Sequence, residues 1–251
     1  MTGKVYLVGA GPGAADLITV RAARLLGEAD IVFHDALVAA ELLLLASNAK
    51  KVAVGKRSGR HSTAQRFINK QLLDAARAHR VVVRLKGGDP MLFGRAHEEL
   101  EFLGQNGIET EVVPGVTAAL AASAELGVSL TRRGVSRSVT FVTPRVAEGA
   151  RASSWVQAVL AADTAAIYMG AGEAAAISAA LIAAGKPATT PVAVVENASL
   201  DGSRRFGVLA NLAQLAPAGA APSLILIGEV LQAAQLPAEV SLVPRAASHS
   251  A

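Results

Sequence analysis

The chain has 251 residues, 52% of them hydrophobic and 18% charged, with 23 glycines, 10 prolines and no cysteine. That composition excludes a disordered chain and a disulfide scaffold, removes thiolate zinc sites and cysteine nucleophiles, and leads us to expect an intracellular protein. The net charge of +4, from 24 Lys+Arg against 20 Asp+Glu, marks no partner, and 4% aromatics argue against base-stacking platforms, so no nucleic-acid partner is expected.

Short β-branched runs alternate with longer alanine- and leucine-rich segments, the pattern of an α/β protein with largely parallel strands. Strands are expected over 4–8, 30–33, 51–54, 81–85 and 109–113, and helices over 16–26, 63–77 and 95–106, where apolar residues recur at three and four. Residues 127–137 are polar and basic without periodicity and read as a hinge. A second series follows, with strands over 138–142, 165–168, 192–195, 205–208 and 223–227 and helices over 154–161, 173–184 and 208–215. The expected organisation is therefore two α/β domains, 1–130 and 131–236, followed by a disordered tail over 237–251.

The longest uncharged stretch, 206–228, has the length of a membrane span, but Asn211, Gln214, Pro217 and Pro222 interrupt it, so no membrane partner is expected. The first strand runs straight into a glycine turn, without a basic-then-apolar export pattern, which makes a cytoplasmic location the expectation.

Three motifs carry candidate chemistry. Gly9-Ala10-Gly11-Pro12-Gly13 follows the first strand, where an open sheet binds its ligand. With Asp35 at the end of the next strand it satisfies a loose dinucleotide fingerprint, although Pro12 deletes an N–H where a pyrophosphate needs donors. Lys86-Gly87-Gly88-Asp89-Pro90 closes another strand; its glycines admit close backbone approach, and Asp89 offers a carboxylate to a ligand hydroxyl or amine. Gly55-Lys56-Arg57-Ser58-Gly59-Arg60-His61 lies at the centre of a window, 42–73, that has no acid, and its guanidinium groups suit a substrate with several carboxylates. His61 stands without a cluster, and no metal site is expected.

Together the segments GAGPG, HDALV, GKRSGRH, LKGGDPMLFGR, PGVTAA, IYMG, ENAS and ILIGEV, spread from residue 4 to 230, resemble the uroporphyrinogen-III C-methyltransferases, a group within the S-adenosylmethionine-dependent tetrapyrrole methyltransferases. The resemblance implies a homodimer of two-domain subunits with the cofactor in the cleft between the domains. Carried over by motif, S-adenosylmethionine, and S-adenosylhomocysteine after transfer, would be lined by Pro12, Gly87, Gly88, Asp89, Leu92, Thr117, Ala118, Met169 and Ala198. The family's proton acceptor falls on Asp35 and its proton donor on Lys56, while Arg57, Arg60 and His61 would face the tetrapyrrole. On residue chemistry alone the preferred role of Lys56 is a fixed charge that holds a carboxylate, and only the resemblance keeps the donor role open. The implied reaction is double methylation of uroporphyrinogen III to precorrin-2, on the way to siroheme or cobalamin. A sister corrinoid methyltransferase, an NAD-dependent oxidoreductase and a non-enzymatic anion-binding module that uses only the basic window are the alternatives, in falling order. The chain departs from the family pattern at Gly94-Arg95-Ala96-His97-Glu98-Glu99, where many members have GRGGEE, and at Thr143-Pro144-Arg145, where many have Thr-Gly-His.

Overall fold

A computed structural model of the chain describes residues 2–54, 65–145, 153–217, 219 and 221–235. Its first half contains β1 (Lys4–Gly9), α1 (Val20–Glu28), β2 (Ile31–His34), α2 (Ala40–Leu44), β3 (Lys50–Ala53), α3 (Gln65–Ala78), β4 (Val81–Lys86), α4 (Ala96–Gln105) and β5 (Thr110–Val113). The second contains α5 (Ala118–Leu126), β6 (Val139–Val142), α6 (Trp155–Ala161), β7 (Thr164–Tyr168), α7 (Ala174–Ala183), β8 (Pro191–Glu196), β9 (Arg204–Val208), α8 (Leu212–Leu215) and β10 (Ser223–Gly228).

The first sheet is parallel throughout, in the order β3-β2-β4-β1-β5. Helices cover both of its faces, which is why its central strands read as largely apolar runs. Val5, Leu7, Phe33 and Val82 pack on Ile68 and Leu72 of α3 and Leu103 of α4. Val8, Val32, Val83 and Leu85 point the other way, onto Leu25 and Leu26 of α1 and Leu42 of α2. The helix expected from residue 16 starts at Val20, because Thr19 Oγ1 accepts the Ala22 N–H at 3.2 Å and caps it.

The second sheet, in the order β6-β7-β10-β8-β9, is mixed. β6 and β7 run parallel, whereas β10 is antiparallel to β7 and β8, and β8 to β9. The expectation of largely parallel strands thus fails here, and chain length supplies the reason. Residues 197–203, which join β8 to β9, are too few for the crossover that a parallel pair requires.

Packing also moves the boundary between the two units. Ala119, Ala121 and Ala122 of α5, with Val128 and Leu130, lie against Ala166, Val195, Leu224 and Leu226 of the second sheet. The core therefore divides after β5 rather than between residues 130 and 131. The segment read as a hinge is tied down, with Arg132 bridging to Ser136 and Ser136 Oγ bonded to Leu130 O and Thr164 Oγ1. The expected tail, 237–251, lies outside the described residues.

Candidate active site

The chain leaves β1 towards β2 on one side and passes from β4 to β5 on the other, so the loops after β1, β4 and β5 meet at the reversal point of the sheet, where open α/β sheets bind ligands. The Gly11 N–H donates to Gly88 O at 3.2 Å and the Gly88 N–H to Gly11 O at 2.7 Å. Gly88 sits at φ +66°, where a side chain is strained. Gly9 faces the third loop so closely that a Cβ on it would lie 2.6 Å from Gly115 Cα. Asp89 locks the arrangement: Oδ1 accepts the Met91 N–H at 2.8 Å and Oδ2 the Gly115 N–H at 2.9 Å. Both of its oxygens thus hold loop backbone, a use that the sequence reading of Asp89 as a ligand contact does not include.

The second sheet closes on these loops. Tyr168, at the end of β7, accepts the Ala119 N–H at 3.1 Å and shares its proton with Thr117 Oγ1 at 2.7 Å. Burial pushes its phenol above the usual tyrosine range, so the proton stays. Met169 follows at φ +56° and is 44% exposed. After β8, Ala198 lies between Asn197 and Ser199, both at positive φ, and Ser199 Oγ accepts the Ala14 N–H of the first glycine loop at 2.9 Å. Pro12, Gly87, Gly88, Asp89, Thr117, Ala118, Met169 and Ala198 therefore lie on or beside loops that meet at one cleft between the two sheets, with Leu92 just beyond Asp89. Thr117 and Ala198 are buried and offer the cleft little surface.

Asp35, at the end of β2, lies one strand away from the glycine turn, since β4 stands between β2 and β1. The dinucleotide reading fails on that order, because the ribose-binding acid of such a fold belongs beside the turn, and because α1 starts at Val20 rather than at the turn itself. Asp35 belongs instead to a charged cluster that the sequence reading missed. Arg84 Nη2 donates to Asp35 Oδ1 at 2.6 Å and its Nε to Glu99 Oε1 at 3.0 Å, while Lys86 Nζ donates to Glu99 Oε2 at 2.9 Å. Burial, and then the neighbouring Arg84, push the Lys86 ammonium below the usual lysine range, against the opposing pull of Glu99. The signal was available: two cations inside the β4 run Val-Val-Val-Arg-Leu-Lys must find buried partners.

Lys56, Arg57, Arg60 and His61 lie outside the described residues; their segment begins just after Val54, whose N–H donates to His34 O beside Asp35. The two departures from the family pattern flank the cleft. Arg95 grips Glu98 with two bonds, of 2.6 and 2.7 Å. Thr143 joins Phe93, Phe141, Ser154 and Trp155 around a cavity of about 220 Å³ that draws on both units, and the Phe93 and Tyr168 ring centroids are 5.1 Å apart. Among the described residues, no group of three or more His, Asp or Glu is placed to hold a metal ion, and no helix is long and apolar enough to cross a membrane.

Comparison with known proteins agrees with this geometry. Residues 4–213 match the family of tetrapyrrole (corrin/porphyrin) methylases. Siroheme synthase 1 of Klebsiella pneumoniae is 45% identical over 233 residues, covering 92% of this chain and 50% of that protein, so the chain spans about half the length of the siroheme synthases it matches. The uroporphyrin-III C-methyltransferase of Thermus thermophilus, solved in complex with S-adenosylhomocysteine, superposes with a TM-score of 0.80 at 40% identity, over 92% of this chain and 100% of that one. A cobalt precorrin-4 methyltransferase superposes with a TM-score of 0.78 at 27% identity, over 91% of this chain and 95% of its own. With the match spanning the first sheet, four of the five strands of the second and every loop of the cleft, the chain belongs to the tetrapyrrole methylase family.

Proposed function

We propose that this chain is an S-adenosylmethionine-dependent C-methyltransferase that methylates uroporphyrinogen III twice, giving precorrin-2 for siroheme and cobalamin synthesis. The observation that carries the reading is the cleft itself, where the first glycine loop of a parallel sheet is bonded to Ser199 of the second unit and to the second loop through Gly11 and Gly88, and Thr117, after the third loop, is bonded to Tyr168. Its walls suit the cofactor. They offer backbone donors and acceptors together with the exposed apolar side chains of Leu37, Met169 and Leu200, a match for an adenosine and a thioether chain.

The cofactor supplies a methyl group already activated on a sulfonium, whose C–S bond breaks with its electron pair left on sulfur as the new C–C bond forms from the π electrons of a pyrrole carbon. The task left to the protein is alignment, worth up to about 7–11 kcal/mol in favourable cases. The first-sheet loops and Met169 hold the donor side, and Lys56, Arg57, Arg60 and His61 hold acetate and propionate groups of the ring. Each methyl replaces one ring-system proton, and Asp35 is the acceptor. Subunits pair as a homodimer in the cytoplasm.

Anaerobic incubation with uroporphyrinogen III and S-adenosylmethionine, followed by mass analysis of the tetrapyrrole, tests the reading. Gain of two methyl groups is the expected result. No gain, in a protein that binds S-adenosylhomocysteine, overturns the substrate and points to a later corrinoid instead.

A further inference from the structure

Four side chains of alternating sign run inward from the cleft, Asp35, Arg84, Glu99 and Lys86, with a formal sum of zero. Asp35 is 29% exposed on its side chain, whereas Arg84, Glu99 and Lys86 are buried, Glu99 completely. Such a ladder is poor value as a stabiliser, because apolar side chains of the same volume usually fill the space as well or better. It does give Arg84 a fixed orientation. Nε is held by Glu99, Nη1 by Leu85 O at 3.2 Å and Nη2 by Asp35. Glu99 is held in turn by Lys86 and by Gln65 Nε2 at 3.1 Å, and Gln65 also donates to Asn69 Oδ1 at 3.0 Å. The planar fork therefore reaches Asp35 from one direction only and engages Oδ1. Among the described residues no group is bonded to Oδ2.

We infer that Arg84, braced by Glu99 and Lys86, is a positioning residue for Asp35: it sets the carboxylate so that Oδ2 faces the cleft and the ring proton to be removed. The inference rests on the reading of Asp35 as proton acceptor. A lysine at 84 keeps one positive charge but has no fork to span two carboxylates, so it leaves either Asp35 or Glu99 without its partner.

Steady-state kcat with uroporphyrinogen III and calorimetric affinity for S-adenosylhomocysteine, measured on the intact chain, test it in four proteins: wild type, Arg84→Lys, Asp35→Asn and the double variant. Arg84→Lys is expected to lower kcat about 10²-fold, the effect of a misplacement near 1 Å, with affinity for S-adenosylhomocysteine unchanged. The double variant should then be no slower than Asp35→Asn alone, since a positioning residue has nothing left to position. Wild-type kcat in Arg84→Lys, or losses that multiply in the double variant, would reduce Arg84 to a structural part of the strand. Full activity in Asp35→Asn would instead remove Asp35 as the acceptor and take the inference with it, a result the other arms do not mimic. If Arg84→Lys does not fold, Glu99→Gln carries the same comparison, slow in the wild-type background and without added effect in Asp35→Asn.

Discussion

Glu99 has no exposed surface and accepts from three side chains, Arg84, Lys86 and Gln65, which makes it the residue on which the charged cluster depends. Glu99→Ala would leave a guanidinium and an ammonium facing each other in the core. The expected cost is about 3–5 kcal/mol, read as a fall in the urea midpoint at unchanged slope. A mild effect would show that Lys86, already pushed down by burial, simply gives up its proton. A different lysine tests the other end of the reaction. If Lys56 holds a substrate carboxylate as a charge, Lys56→Arg keeps most of the activity while Lys56→Met raises KM for the tetrapyrrole. If Lys56 delivers a proton, Lys56→Arg is as slow as Lys56→Met, because a guanidinium does not give up its proton near neutral pH.

The same clamp appears at the start of each sheet. Asp30, just before β2, accepts the N–H groups of Val81 and Arg80 at 2.8 and 2.9 Å, and Asp163, just before β7, accepts those of Arg137 and Ser138 at 2.8 and 3.0 Å. The Val81 N–H chiefly holds the Asp30 carboxyl below its ordinary range; for Asp163 the Arg137 N–H leads, followed by the Ser138 hydroxyl. A folded-state value below the unfolded one gives stability that is complete above about pH 4 and lost as pH falls through the lower value. The double variant Asp30→Asn/Asp163→Asn should therefore melt lower than wild type at pH 7, and the gap should narrow on acidification. A gap that stays constant would mean the clamps act through geometry alone. Neither clamp was legible in the sequence, since an Asp before a strand looks like any turn residue. The central strands were legible because burial on both faces writes them as largely apolar runs. α5 was not, since its alanines face both sheet and solvent without contrast, and α2 is too short to show a period. The glycine loops announced the cleft, but their pairing across it depended on strand order, which local pattern does not contain. One such contact can be tested directly. A Cβ at Gly115 would lie 2.4 Å from Gly88 O, so Gly115→Ala should force the second and third loops apart and weaken S-adenosylhomocysteine binding, at a stability cost of about 1–3 kcal/mol.

The two sheets have separate cores, and among the described residues the contacts at the cleft include Ala14 to Ser199 and Phe93 to the Tyr168 ring, which cross between the units, and Thr117 and Ala119 to Tyr168, which hold the start of α5 to the second sheet. Tyr168 carries most of them. Its ring meets the first unit, and its hydroxyl holds the N-terminus of α5, the helix that follows β5 in sequence but packs on the second sheet. Cofactor affinity should therefore depend on Tyr168, whereas the proposed proton acceptor should not, because Asp35 and Arg84 both belong to the first sheet. Tyr168→Phe keeps the ring contact and removes the hydroxyl, which leaves Thr117 and the Ala119 N–H each without a partner at a cost of about 1–3 kcal/mol. We expect at least roughly fivefold weaker S-adenosylhomocysteine binding by calorimetry, with kcat at saturating S-adenosylmethionine within about twofold of wild type. If kcat falls while affinity holds, the register between the two units governs the chemical step itself, and Tyr168 serves to bring substrate and donor into line rather than to shape the cofactor's wall.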